Sequence, residues 1–151
     1  MLGAPSSLAG GDPTWPSFLP PREATPEAAR VERIWTAETF RRTIVPPPVE
    51  VPLALYAALI DAPDVVAVAA RRLGVATETV VPSADGAWEV RSTKGSRAIY
   101  RVLVSAPDRR VVLSYGHVMV LGLAIPGSVL GVLELQDRAT SVDQRLSVHA
   151  R

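Results

Sequence analysis

An α+β domain is the fold class this sequence predicts, with N-terminal helices packed on one face of a five- to six-stranded antiparallel β-meander. Three observations predict it. From residue 88 onward the chain is a series of β-type segments punctuated by glycine and proline, with no helical period among them. The turns between those segments are short, which suits antiparallel neighbours and leaves no room for crossover helices. Helical patterns are confined to residues 25–73, so those helices must cover the sheet.

Residues 1–21 are rich in Gly, Pro and Ser, with isolated Trp15, Phe18 and Leu19. That composition predicts a disordered leader, since it offers little apolar area against the entropy of ordering. The domain is then expected to span 22–151. In Thr25-Pro26-Glu27, Thr25 reads as an N-cap and Pro26 as the first helical residue. Val31, Ile34 and Trp35 give the following helix an apolar stripe, and its expected span is 25–43. Pro46-Pro47-Pro48 is a stiff spacer. Residues 52–60 form a short apolar helix, and 63–73 a second, with Asp61 as N-cap, Asp64 in its first turn and Gly74 as its stop.

In the sheet, Trp88 and Val90 alternate with charged residues, and Ala98, Tyr100 and Val102 do so with Arg97 and Arg101. Putting the two apolar sets on one face requires a loop of odd length, because register parity decides which face each side chain joins. Thr93-Lys94-Gly95 meets that need and places glycine where φ > 0 is demanded. Further strands are expected at 111–115, 118–125, 129–135 and 142–148. Residues 118–125 are apolar throughout apart from Gly122, which predicts a strand buried on both faces and closed by Pro126-Gly127. The strand at 142–148 ends close to Arg151. A terminal strand of that kind exposes an edge and apolar sheet surface, so a longer natural domain or self-association is expected.

The chain of 151 residues carries a net charge of +1, with arginines interleaved among acids, so no basic stripe for nucleic acid is present. Lys94 is the single lysine and asparagine is absent, which with the Ala, Val and Pro excess points to a high-GC bacterial genome. The lack of cysteine excludes disulfides, thiolate nucleophiles and cysteine-held metals. No secretory signal is legible and no run is long enough for a membrane helix, so a cytoplasmic protein without a transmembrane segment is expected.

Candidate chemistry is sparse. His117, following Tyr115-Gly116, is the strongest single candidate for acid–base work, with Tyr115 beside it and an arginine as anion binder. No G-x-S-x-G elbow and no H-E-x-x-H spacing accompanies it. Lys94-Gly95-Ser96 lacks the leading glycine and following helix of a phosphate loop. Arg97, Arg101, Arg109 and Arg110 offer an anion patch or a salt-bridged face. Neither a cofactor nor a metal is implied.

The element order, helices and then a meander, resembles helix-grip domains of the START type, in which a curved sheet wraps a helix around an apolar cavity. The final long helix of that fold has no counterpart here, and a cone-shaped NTF2-like sheet is the competing layout. The doubly apolar strands and the scarcity of convergent polar groups point to a non-catalytic module for an apolar or amphipathic, lipid-like molecule held between helix and curved sheet. Its expected contacts are Val66, Leu73, Tyr100, Tyr115, Met119, Leu121 and Leu123. A domain that meets another protein chain through the same apolar surface is the alternative, and a small enzyme built on His117 the third reading.

Overall fold

The computed structural model describes residues 14–151, and within them the chain is α+β. Three α-helices, α1 (Ala28–Thr36), α2 (Leu53–Ile60) and α3 (Pro63–Arg72), accompany seven strands. The strands are β1 (Phe40–Ile44), β2 (Thr79–Pro82), β3 (Trp88–Arg91), β4 (Arg97–Ala106), β5 (Arg109–Val120), β6 (Leu123–Asp137) and β7 (Val142–Ala150). They form one antiparallel sheet in the order β1-β7-β6-β5-β4-β3-β2. Strands β2 to β7 run as an antiparallel meander, in which β2 is a strand that the sequence did not lead us to expect. β1 lies at the far edge, so α2 and α3 carry the chain across the whole sheet to β2.

The ladder pairing assigns side chains to faces. Val111 pairs with Val132 and Leu113 with Leu130, so these share one face; Arg110 pairs with Leu133 one residue on, and so takes the other. The first face carries the main core. Val31 and Ile34 of α1, both fully buried, pack on Val111, Leu113, Leu130 and Val132. Their i, i+3 spacing is the expected stripe, with Trp35 beside it. The second face, with Val90, Tyr100 and Leu133, receives α2 and α3. The helices therefore lie on both faces rather than one.

Several boundaries differ from expectation, each for a physical reason. Residues 14–21 are not a loose leader: Pro16 and Leu19 are buried, and Trp15 and Phe18 pack on the α1 core. Trp15 donates Nε1–H to the Pro20 carbonyl at 2.9 Å, and Phe18 meets Trp35 edge-on at 5.5 Å. A few aromatic anchors outweigh the loop-like composition here. Residues 1–13, the rest of the expected leader, lie outside the described residues. Thr25 does not cap α1; its hydroxyl donates to the carbonyl of Pro20 or Pro21, at 3.1 Å from each, and Glu27 occupies the capping position. The helix stops at Thr36, and residues 40–44 become β1, pairing with β7 from Phe40↔Ala150 to Ile44↔Leu146. β7 is consequently paired on both sides, by β1 and β6, and is not the unpaired edge expected of it.

The β3–β4 hairpin follows the parity argument. Trp88 faces Tyr100, Val90 faces Ala98, Ser92 N–H meets the Ser96 carbonyl at 2.9 Å, and Gly95 has φ 90°. The 118–125 expectation fails. Residues 118–120 extend β5, Leu121-Gly122 form the turn, and 123–125 begin β6. Leu121 and Gly122 both have positive φ, 51° and 81°, as a two-residue hairpin turn of this twist demands. For leucine that conformation costs about 1–2 kcal/mol. Pro126 falls inside β6, beyond the last contact with β7 at Ser128 and Arg151, so no partner strand asks for its missing N–H.

One ion pair fastens the helices to the second face. Arg110, only 4% exposed, donates from Nε to Asp61 Oδ1 at 2.9 Å and from Nη2 to Oδ2 at 3.0 Å. Its Nη1 donates to the Ala106 carbonyl and, at 3.2 Å, to that of Arg109. Asp61, expected to cap α3, thus serves the sheet instead, and Ala62 takes the cap position with no side-chain bond. The two helices meet there at 94°.

Asp61→Ala should cost about 2–3 kcal/mol in urea unfolding, because it leaves a buried guanidinium unpaired while Asp61 itself is partly hydrated. Arg110→Met removes both the charge and the need for a partner, and should cost about 1 kcal/mol or less. Among the glycines, a Cβ at Gly116 would sit 2.1 Å from the Arg97 carbonyl oxygen and 2.7 Å from Ala98 Cα. Gly116→Ala should therefore lose about 3 kcal/mol or fail to fold. At Gly95 the nearest atom is Met119 Cγ at 3.4 Å, and Gly95→Ala should cost only about 1 kcal/mol, from backbone strain.

Candidate functional site: an apolar groove under the helix pair

Because α2 and α3 cross the second face at an angle, they do not seal it. A groove of about 600 Å³ remains between them and the sheet. α3 presents Val66, Ala67 and Ala70 to it, and small alanines at that spacing leave the space that bulkier residues would fill. The sheet contributes Val90, Tyr100 and Leu133, with Val80 from β2 on one flank. Tyr56 of α2 closes another side and donates its hydroxyl to Gln144 Oε1 of β7.

The polar groups near the groove are few and mostly engaged. The Arg110 guanidinium is occupied by Asp61 and two carbonyls, which makes it structural. The Tyr100 hydroxyl has no hydrogen-bond partner among the described residues. Burial, with the Asp61 carboxylate nearby, raises the Tyr100 pKa, and Arg110 opposes this in part, so the hydroxyl keeps its proton at neutral pH. It is the lining donor left for a guest molecule.

A second depression, about 670 Å³, lies on the outer side of α3 between Leu73, Val68 and the β2 residues Val80 and Pro82. It is larger, yet bounded by one helix and one edge strand. The groove under α2 and α3 is walled by two helices and four strands, so it can cover a ligand on more sides.

The residues singled out from the sequence are dispersed. Val66 and Tyr100 line the groove, and Leu73 lines the outer depression. Tyr115 is on the opposite face, where its hydroxyl donates to Glu27 Oε1 at 3.0 Å and Arg30 lies over its ring at 3.9 Å. Burial, followed by the bond to Glu27 and its charge, raises the Tyr115 pKa. Met119, Leu121 and Leu123 sit at the projecting β5–β6 tip, where Leu121 is 99% exposed. They do not reach the groove. Residues the sequence reading missed are Ala67, Ala70 and Tyr56; a small-residue row on an otherwise apolar helix was their visible signal.

His117 shares a shallow depression with Tyr115, Glu89 and Arg97 on the first face. Its Nε2 is 3.2 Å from the Gly95 carbonyl, and among the described residues no carboxylate lies within ion-pair distance of it. Glu89 is held by Arg91 and Arg97, whose hydrogen bonds lower its pKa to about 2. The four arginines of the expected anion patch are separated. Arg110 is buried with Asp61, Arg97 pairs with Glu89, Arg109 meets Glu134 at 3.7 Å, and Arg101 donates to the Asp85 carbonyl at 2.7 Å. His149 is buried against Trp35 and donates Nδ1–H to Glu38 at 2.7 Å. Burial works to raise the Glu38 pKa, but the bonds from His149 and Arg41 prevail and lower it. Among the described residues no single helix is long and apolar enough to cross a membrane.

No family model and no curated protein matches the chain. Among solved structures it is similar to an uncharacterised protein from Rhizobium leguminosarum, with a TM-score of 0.52 and 12% identity, covering 74% of this chain and 77% of that one. Proteins from Arthrobacter aurescens (TM-score 0.49, 13% identity, 72% and 67% covered) and Rhizobium loti (0.48, 14%, 74% and 79%) are also similar. At these identities the first likeness supports the α+β fold alone.

Proposed function

We propose that this domain is a non-catalytic binding module for an apolar or amphipathic small molecule of lipid-like character. The observation that carries the reading is the groove itself. Its volume falls in the range typical of small-molecule sites, its walls are almost wholly aliphatic and aromatic, and one unengaged hydroxyl, on Tyr100, supplies a point of orientation. An aliphatic chain would lie along Val66, Ala70 and Val90, and a hydrogen-bond acceptor on the guest would take the Tyr100 proton. A protein-interaction domain is the second reading, favoured by the exposed Phe40, Ile44, Leu55 and Leu59 on the β1 edge and on α2.

Titration with an environment-sensitive fatty-acid probe separates the two. The wild-type chain should bind the probe saturably, and Ala70→Trp, which fills the groove, should weaken binding about tenfold or more. Tyr100→Phe should weaken a carboxylated probe about two- to tenfold, the worth of one net hydrogen bond. Each variant's melting temperature is measured alongside. An absence of saturable binding by the wild type, or binding indifferent to Ala70→Trp, would favour the interaction reading.

A further inference from the structure

We infer that the β5–β6 tip is a membrane-docking finger whose occupant is the surface of an anionic phospholipid bilayer. Residues 118–127 carry no polar side chain, and they project beyond both neighbouring strands: β4 begins opposite His117 and β7 ends near Val129. Val118, Val120, Leu121, Leu123 and Ile125 are all exposed. Val118 pairs with Ile125 and Val120 with Leu123, so these four share one face of the ribbon, while Met119 and Ala124 take the other and Leu121 stands in the turn. Neither face carries a polar side chain, so the ribbon can sink its four large apolar residues and its turn into a bilayer surface without burying a polar one.

The turn gives an independent sign. Its first central position has φ 51°, which asparagine or glycine takes with little strain, yet the residue is leucine, fully in water. Strain and exposure are both unfavourable, and no contact within the described chain offsets either.

Charge at the base of the finger fits the lipid. The β3–β4 turn is fastened to the stem: Met119 N–H donates to Ser96 Oγ at 2.9 Å, and Lys94 stands in that turn without an ion-pair partner among the described residues. The α3 terminus comes to the same end, since Arg71 donates to the Glu78 carbonyl and Glu78 shares a depression with Lys94 and Met119. Arg71, Arg72, Arg91, Lys94 and Arg97 outnumber Glu78 and Glu89 there. Leu73 and Val75, both largely exposed, add apolar surface beside them. Apolar tip and cationic collar are the pairing by which peripheral proteins seat in an anionic interface.

Co-sedimentation with phosphatidylcholine vesicles, with and without phosphatidylserine, tests this independently of any cargo in the groove. The wild type should pellet with the anionic vesicles. Leu121→Asn relieves the turn, so its melting temperature should hold or rise, while vesicle binding falls about tenfold or more. Lys94→Ala should weaken binding about fivefold on anionic vesicles and leave neutral ones unaffected. Leu121→Trp should show blue-shifted emission, quenched by brominated lipid, on vesicle addition. Absence of vesicle binding by the wild type would overturn the inference, as would binding insensitive to Leu121→Asn. Self-association abolished by Leu121→Asn, with no vesicle binding, would overturn it in favour of a second copy as the occupant.

Discussion

The ladder between β5 and β6 is the interaction on which the rest of the molecule depends. Its register runs from Arg109↔Glu134 to Val120↔Leu123, the longest pairing in the sheet. Because side chains alternate strictly, that one register sends Val111, Leu113, Leu130 and Val132 to α1 and Arg110 and Leu133 to α2 and α3. A slip of a single residue would exchange the two sets, burying arginine under α1 and stranding valines beneath Asp61. Both layers of helix are consequences of this pairing. The bidentate pair with Asp61 then favours the observed register, since a slip would carry Arg110 away from that carboxylate.

Much of the sheet was legible from the sequence because its signals are local. Odd loop parity and Gly95 identified the β3–β4 pairing, and the Val31, Ile34 and Trp35 stripe marked the buried face of α1. What was not legible depends on contacts distant in sequence. β1 is short and its Arg41 and Arg42 read as a continuing helix; only pairing with β7, more than a hundred residues away, makes it a strand. Trp15 and Phe18 sit in loop-like composition and become core through tertiary contact. The 118–125 run was read as buried because apolar residues normally are, and no local pattern distinguishes a buried strand from a projecting ribbon when polar residues are missing from both.

The candidate site shows the same division. Val66 and Tyr100 could be picked out as apolar or aromatic residues on facing elements. The alanine row that makes the space, and the capture of Asp61 by Arg110, could not, because an empty volume is set by how two helices cross and not by any one segment. Asp61 illustrates the competition well. By position it is a capping residue worth about 1 kcal/mol to a helix, but a buried guanidinium within reach has the larger claim on it.

The strand order has a consequence for how the molecule opens. The two rims of the sheet are β1 and β2, of five and four residues, while the long strands lie at the centre. Amide exchange in such a sheet proceeds from the rims inward, since rim hydrogen bonds have water on one side and few contacts to lose. β2 is a rim and also a partition: Val80 borders both the groove and the depression outside α3. Fraying of four residues would join those two spaces while the ladder at the centre stayed intact. One of the two rim strands is thus the door between the groove and the space outside α3.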